Sequence, residues 1–152
     1  MRSWRIVKKK YQHTAFDGSG ARLYGGRWNL PGTAVVYTAF SRSLAILEIL
    51  VHMNASGLLE SYVLCPCEFD REFVQRVSPA SLPSKWRQSG VSDKIQVFGD
   101  ELIRHASVPV LQFPSAVVPQ EENYLLLPEH PLFIKIRIGE PEPFLFDRRF
   151  RA

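Results

Sequence analysis

Two cysteines, Cys65 and Cys67, are too few to staple a fold, so a disulfide scaffold is excluded. Four histidines, His13, His52, His105 and His130, fall at no ligand spacing. Cys65-Pro66-Cys67 has no second cysteine pair to complete a tetrahedral site, so no metal is expected. No apolar run approaches the ~18 residues of a membrane span. The start, Met1 to Arg5, leads into a lysine run and has no apolar signal-peptide core. A cytoplasmic protein with no membrane contact is the expectation. Repeats and low-complexity stretches are missing too. There is no P-loop, no dinucleotide-binding glycine fingerprint and no regular strand–helix alternation.

Acid is scarce at one end. Residues 1–27 hold Arg2, Arg5, Lys8, Lys9, Lys10, Arg22 and Arg27 against Asp17 alone, while the whole chain carries a net charge of +4. A cleft lined by this segment would be electropositive and would suit an anionic partner. The 152 residues, 45% of them apolar, are enough for one domain with a real core, taken here as 1–152.

Short strands are expected at Trp4–Val7, Ala34–Thr38, Ser61–Leu64 (resuming to Phe69), Val108–Phe113, Leu132–Ile138 and Phe144–Phe146. Helices are expected over Ser41–Met53, with Leu44, Leu47 and Val51 on one stripe and Ile46, Leu50 and Met53 beside it, and over Asp93–Ala106, with Ile95, Phe98, Leu102 and Ala106 on one face. Residues 17–32 hold five of the nine glycines and read as a shaped loop. Residues 78–92 read as a loop with a turn of helix, and Pro114–Pro131 as an irregular loop. Together these make an α+β domain with a mixed or antiparallel sheet.

Three segments could carry chemistry. In Gly25-Gly26-Arg27-Trp28-Asn29 the glycines allow a tight bend and Arg27 offers a planar fork for phosphate or carboxylate. A hairpin turn with an anchoring tryptophan explains the segment equally well. Glu48 stands on the apolar side of its helix and must be paired, neutral or facing a cleft. Tyr37, at the end of the preceding strand, could share its rim. Ser115 and Asn123 lie in a proline-punctuated stretch running on to Pro131, in which His130 could cap a turn. Ser115 is in no G-x-S-x-G elbow, which argues against a hydrolase nucleophile.

In order along the chain, Gly18-Ser19-Gly20-Ala21-Arg22, Gly25-Gly26-Arg27-Trp28-Asn29, Gly32, Val35-Val36-Tyr37-Thr38, Leu44-Ala45-Ile46-Leu47-Glu48, Pro114-Ser115-Ala116, Asn123-Tyr124, Pro128-Glu129-His130-Pro131 and Phe146-Asp147-Arg148-Arg149 resemble the RES-domain family. Leu127 departs from the pattern, since many members carry asparagine there. The resemblance implies a split mixed β core like that of ADP-ribosyltransferases, with a few flanking helices. It implies a bacterial toxin that depletes NAD by breaking the nicotinamide–ribose bond, through phosphorolysis or hydrolysis. It also implies an Xre-like antitoxin that covers or enters the NAD cleft in a hetero-oligomer. DNA would be contacted through that antitoxin.

On this reading NAD is a consumed substrate, inorganic phosphate is a candidate co-substrate, and no cofactor is needed. Glu48, Arg27 and Tyr37 fall on catalytic positions. Glu48 would stabilise the cationic ribose, Arg27 and secondarily Arg5 the pyrophosphate, and Tyr37 the nicotinamide or ribose. Ser115 would donate to a phosphate oxygen, with Asn123 as a further substrate contact. Protein ADP-ribosylation is one alternative. An RNA-binding or RNA-cleaving toxin is another, suggested by the basic start and the stacking aromatics. A RES domain reduced to a binding module is a third, opposed by the intact Arg27, Tyr37, Glu48 and Ser115.

Overall fold

The computed structural model describes residues 1–53, 61–88, 90 and 92–150. Among them, eight strands form one mixed sheet. They are β1 (Arg2–Lys8), β2 (Val36–Ala39), β3 (Tyr62–Glu68), β4 (Val74–Arg76), β5 (Val110–Pro114), β6 (Glu122–Leu126), β7 (Arg137–Ile138) and β8 (Glu142–Phe144). The order is β4-β5-β6-β2-β1-β3-β7, with β8 also pairing β3. Only the β4–β5 pairing is parallel among these. Three helices accompany the sheet: α1 (Ser19–Tyr24), α2 (Arg42–Leu50) and α3 (Asp93–Arg104). The α+β expectation holds.

The sheet parts in its middle. β1 pairs with β3 along its whole length, yet meets β2 in register only where Trp4 lies opposite Ala39. To one side of that junction Trp4, Ile6, Ala39, Leu44, Ala45, Tyr62, Leu64 and Phe146 form a core beneath α2. To the other side Trp28, Val35, Ile95, Leu111, Phe113 and Leu125 form a second core beneath α3. Alternation along the strands sends Val36, Val110, Tyr124 and Leu126 to the opposite face, where they pack with Cys67 and Phe69.

Several boundaries differ from expectation. The segment taken as an irregular loop over Pro114–Pro131 contains β6, which is central in the sheet. Tyr124, Leu125, Leu126 and Leu127 are all buried, so the strand shows no period of two, and Pro119 and Pro128 lie outside it. β4 also went unread, because three residues carry too little pattern. Over Leu132–Ile138 the chain instead makes a 3-10 turn from Pro131 to Lys135 and then the two-residue β7. His130 caps that turn, its Nδ1 accepting from Leu132 N at 3.1 Å, and Ile134 points outward. Within residues 78–92 the expected turn of helix is Pro79–Ser81, while Ser89 and Val91 lie outside the described residues.

The helix expected over Ser41–Met53 runs from Arg42 to Leu50, capped by Ser41 Oγ accepting from Leu44 N at 3.1 Å. Leu44, Ala45, Ile46, Ile49 and Leu50 pack inward, and Met53 with them, as expected of Ile46, Leu50 and Met53, whereas of the expected Leu44–Leu47–Val51 stripe only Leu44 does, since Leu47 and Val51 are exposed. No helix among the described residues is long and apolar enough to cross a membrane, and no group of three or more His, Cys, Asp or Glu side chains among them could hold a metal ion.

Candidate active site

Where the sheet parts, a cleft of about 480 Å³ opens between the two cores. Arg5, Arg27, Tyr37, Glu48 and Asn123 all line it. Five residues scattered over more than a hundred positions therefore share one concavity.

Glu48 reaches the cleft from the inward side of α2, and its placement is fixed from two directions. Asn123 Nδ2, on β6, donates to Glu48 Oε1 at 2.6 Å, and Ser115 Oγ, just past β5, donates to the same oxygen at 2.7 Å. Oε2 accepts no hydrogen bond from the described residues. Ser115 is completely buried. Its hydroxyl also accepts from Val117 N at 3.0 Å and Val118 N at 2.9 Å. The single hydroxyl hydrogen is thus directed at Glu48, and none remains for the phosphate oxygen expected of it. The geometry replaces that phosphate contact with a role in holding the carboxylate. Asn123 keeps a buried Oδ1 with no donor.

The opposite wall is the glycine-rich segment. Asn29, fully buried, donates through Nδ2 to Ala21 O (3.0 Å), Leu30 O (3.0 Å) and Thr33 O (3.1 Å). Its Oδ1 accepts from Tyr37 Oη at 2.8 Å, and that phenol accepts from Trp28 N at 3.0 Å. Gly26 is required here, because a Cβ would come within 2.5 Å of the Tyr37 hydroxyl. Burial pushes the Tyr37 phenol above its ordinary value, so it stays neutral. Trp28 is an anchor, stacked on Phe113 at 4.4 Å between ring centres and buried beside Trp86 and Phe98. Trp28 thus takes the anchoring place that the hairpin reading of this segment gives it.

From α3, Gln96 Nε2 donates to Gly26 O at 3.0 Å and Asn29 O at 3.1 Å, and buried Asp100 accepts from Leu30 N at 3.2 Å. These two braces were missed. Their sequence signal was only a polar residue on the flank of an amphipathic helix.

Arg27 projects from this braced loop, and its Nη1 donates to Trp86 O at 2.7 Å. Arg5 comes from β1, and its Nη1 donates to Tyr37 O at 2.8 Å across the parting of the strands. Neither guanidinium has a carboxylate in ion-pair contact among the described residues. The site therefore offers a held carboxylate on one wall, cations on the floor and the other wall, and apolar surface from Trp4, Ile6 and Leu125 between them. Such a site fits a ligand that carries both an anion and a centre where positive charge develops.

The RES domain family model matches residues 2–147. The chain is 36% identical over 152 residues to the "Toxin Res" of Yersinia enterocolitica, covering 99% of this chain and 100% of that one. It is 34% identical to a "Prs ADP-ribosylating toxin" of Sphingobium sp., covering 96% of this chain and 94% of the relative. The fold is similar to that in the crystal structure of the M. tuberculosis MbcT–MbcA toxin–antitoxin complex, with a TM-score of 0.76 at 17% identity over 95% of this chain and 84% of that chain. The cleft and its residues are thus those of a chain that belongs to the RES-domain family.

Proposed function

We propose that this RES-domain chain is the toxin of a toxin–antitoxin pair and that it consumes NAD by breaking the nicotinamide–ribose bond. The observation that carries this reading is Glu48, held from two sides with one oxygen facing a cleft whose other wall presents Arg27. As the bond breaks, its electron pair leaves with nicotinamide, which departs neutral. Positive charge builds on the ribose, and the Glu48 carboxylate stabilises it. Phosphate, or water that then gives up a proton, adds at the anomeric carbon. Arg27 holds the pyrophosphate, the Tyr37 ring bounds the nicotinamide or ribose, and Asn123, on the cleft lining, is a further substrate contact. On this reading NAD is a consumed substrate rather than a resident cofactor.

A second reading, transfer of ADP-ribose to a protein, is favoured by the name of the Sphingobium relative. Both share the bond-breaking step and differ in the acceptor. The antitoxin is proposed to restrain the enzyme at the cleft mouth, a partnership supported by the MbcT–MbcA likeness in fold. The test is to incubate the purified protein with NAD, with and without phosphate, and to identify the products. ADP-ribose 1″-phosphate marks phosphorolysis and ADP-ribose marks hydrolysis. Intact NAD under both conditions, and with candidate protein acceptors, overturns the proposal.

A further inference from the structure

Arg27 lines the cleft, yet its guanidinium is tied to a loop that does not. Nη1 donates to Trp86 O at 2.7 Å and to Gln88 O at 3.4 Å, while no residue of 83–88 is among those lining the cleft. The loop is therefore a rim outside the cleft, on the far side of Arg27 from its interior. Two turns close it, Trp86 N donating to Pro83 O at 3.2 Å and Gln88 N to Lys85 O at 2.9 Å. The Trp86 ring is pinned beside Trp28, with 6.0 Å between ring centres. Its chain neighbours Lys85 and Arg87 are exposed instead.

Both of these cations are uncommitted. Neither side chain makes a hydrogen bond or ion pair with a described residue, whereas Arg76, earlier in the same stretch, pairs with Glu122. Residues 73–92 contain no Asp or Glu to neutralise them. Lys85 also has a φ of +66°, a left-handed backbone that glycine adopts at less cost. A lysine kept in that conformation places charge on the rim at the expense of backbone strain, a pattern that gathers at ligand sites. Three cations thus stand together, Arg27 on the cleft wall and the other two on the rim to which it is tied.

The order of groups in a dinucleotide says what meets that rim. With the nicotinamide ribose at Glu48 and the pyrophosphate at Arg27, the next group along is the ribose of adenosine. We infer that Lys85 and Arg87 form a subsite for a phosphate on that ribose, so that the 2′-phosphorylated dinucleotide, NADP, is a substrate beside NAD. This rests on the proposed function for the placement of the two halves and widens its substrate class. A phosphate monoester carries close to two negative charges near neutrality and three acceptor oxygens, enough to engage both side chains. An arginine beside the adenosine ribose is a known means by which dinucleotide sites admit that phosphate. The bond broken is unchanged. Its electron pair leaves with nicotinamide, and phosphate or water adds at the anomeric carbon, as for NAD.

The experiment compares nicotinamide release from NAD and from NADP by wild type and by the double variant Lys85→Gln/Arg87→Gln. Both substitutions alter exposed side chains that hold nothing in the fold, so the variant keeps its structure. Wild type should cleave both dinucleotides. The ratio of kcat/KM for NADP to that for NAD should fall about tenfold in the variant, through KM. The difference between the two proteins should shrink at high salt, since the contacts are exposed. Wild type that cleaves NAD and leaves NADP intact overturns the inference, as does an unchanged ratio in the variant.

A binding measurement needs no turnover. Adenosine 2′,5′-bisphosphate and 5′-AMP are titrated into both proteins by calorimetry. The bisphosphate should bind wild type about tenfold more tightly than AMP, and the variant should lose that advantage. Equal affinities in wild type overturn the subsite. An advantage that is present in wild type and lost in the variant, with neither dinucleotide cleaved, would overturn the proposed function and leave the subsite standing.

Discussion

Ser115 Oγ donates to Glu48 Oε1 at 2.7 Å, joining the end of β5 to the inward side of α2. The serine is completely buried and anchored by two backbone amides, so it works as a rigid hand on the carboxylate. Ser115→Ala should therefore lower kcat for NAD cleavage by about 10–100-fold, through a misplaced carboxylate, with little change in KM. Steady-state kinetics decides the matter. A raised KM at unchanged kcat would instead return Ser115 to the phosphate site.

Arg27→Lys keeps the charge and loses the planar fork that both reaches the Trp86 carbonyl and faces the cleft. KM for NAD should rise by roughly tenfold, with a smaller effect on kcat. Unchanged NAD affinity in that variant would remove Arg27 from the pyrophosphate.

The site was legible in the sequence by residue type and less so by role. Glu48 announced itself as a carboxylate on an apolar helix face, and the structure puts it on the cleft. The resemblance located Ser115, but local sequence could not show that its hydroxyl points at a helix 67 residues earlier in the chain. Asn29 read as a loop amide, whereas its burial and its bond to Tyr37 depend on a neighbouring strand. The fold followed the same rule. The amphipathic α3 was read to within two residues at its end, because one face is wet. Central β6 was lost, because burial on both faces erases the alternation that marks a strand.

Gly99 lies against the Trp28 backbone, where a Cβ would overlap the Trp28 carbonyl and Cα. Gly99→Ala should push α3 off the loop and cost roughly 1–3 kcal/mol. Thermal unfolding should show a Tm lower by several degrees. KM for NAD should rise as well, since Trp28 adjoins Arg27. A variant as stable as wild type would mean that α3 does not brace the loop.

Cys67 is buried beside Ser3, whose Oγ lies 3.0 Å from its sulfur, and burial pushes the thiol from 9.0 up to about 11. A raised value in the folded state stabilises the fold below pH 9, and that contribution is lost as pH rises towards 11. Unfolding free energy should accordingly fall between pH 9 and 11 by the order of 2 kcal/mol. Cys67→Ser should make that fall shallower, leaving the share of Cys65, whose thiol burial also pushes up. Denaturant titrations across it provide the check, and identical slopes in the two proteins would contradict the assignment.

The measurement closest to the centre of the account is nicotinamide release from NAD by wild type and by Glu48→Gln. A glutamine keeps an oxygen that can accept from Ser115 and Asn123, so the fold and the cleft should persist while the charge disappears. Wild type should release nicotinamide, and kcat should fall by at least about 10²-fold in the variant, with NAD affinity and Tm nearly unchanged. Near-normal kcat in Glu48→Gln would contradict it and make Glu48 a structural carboxylate.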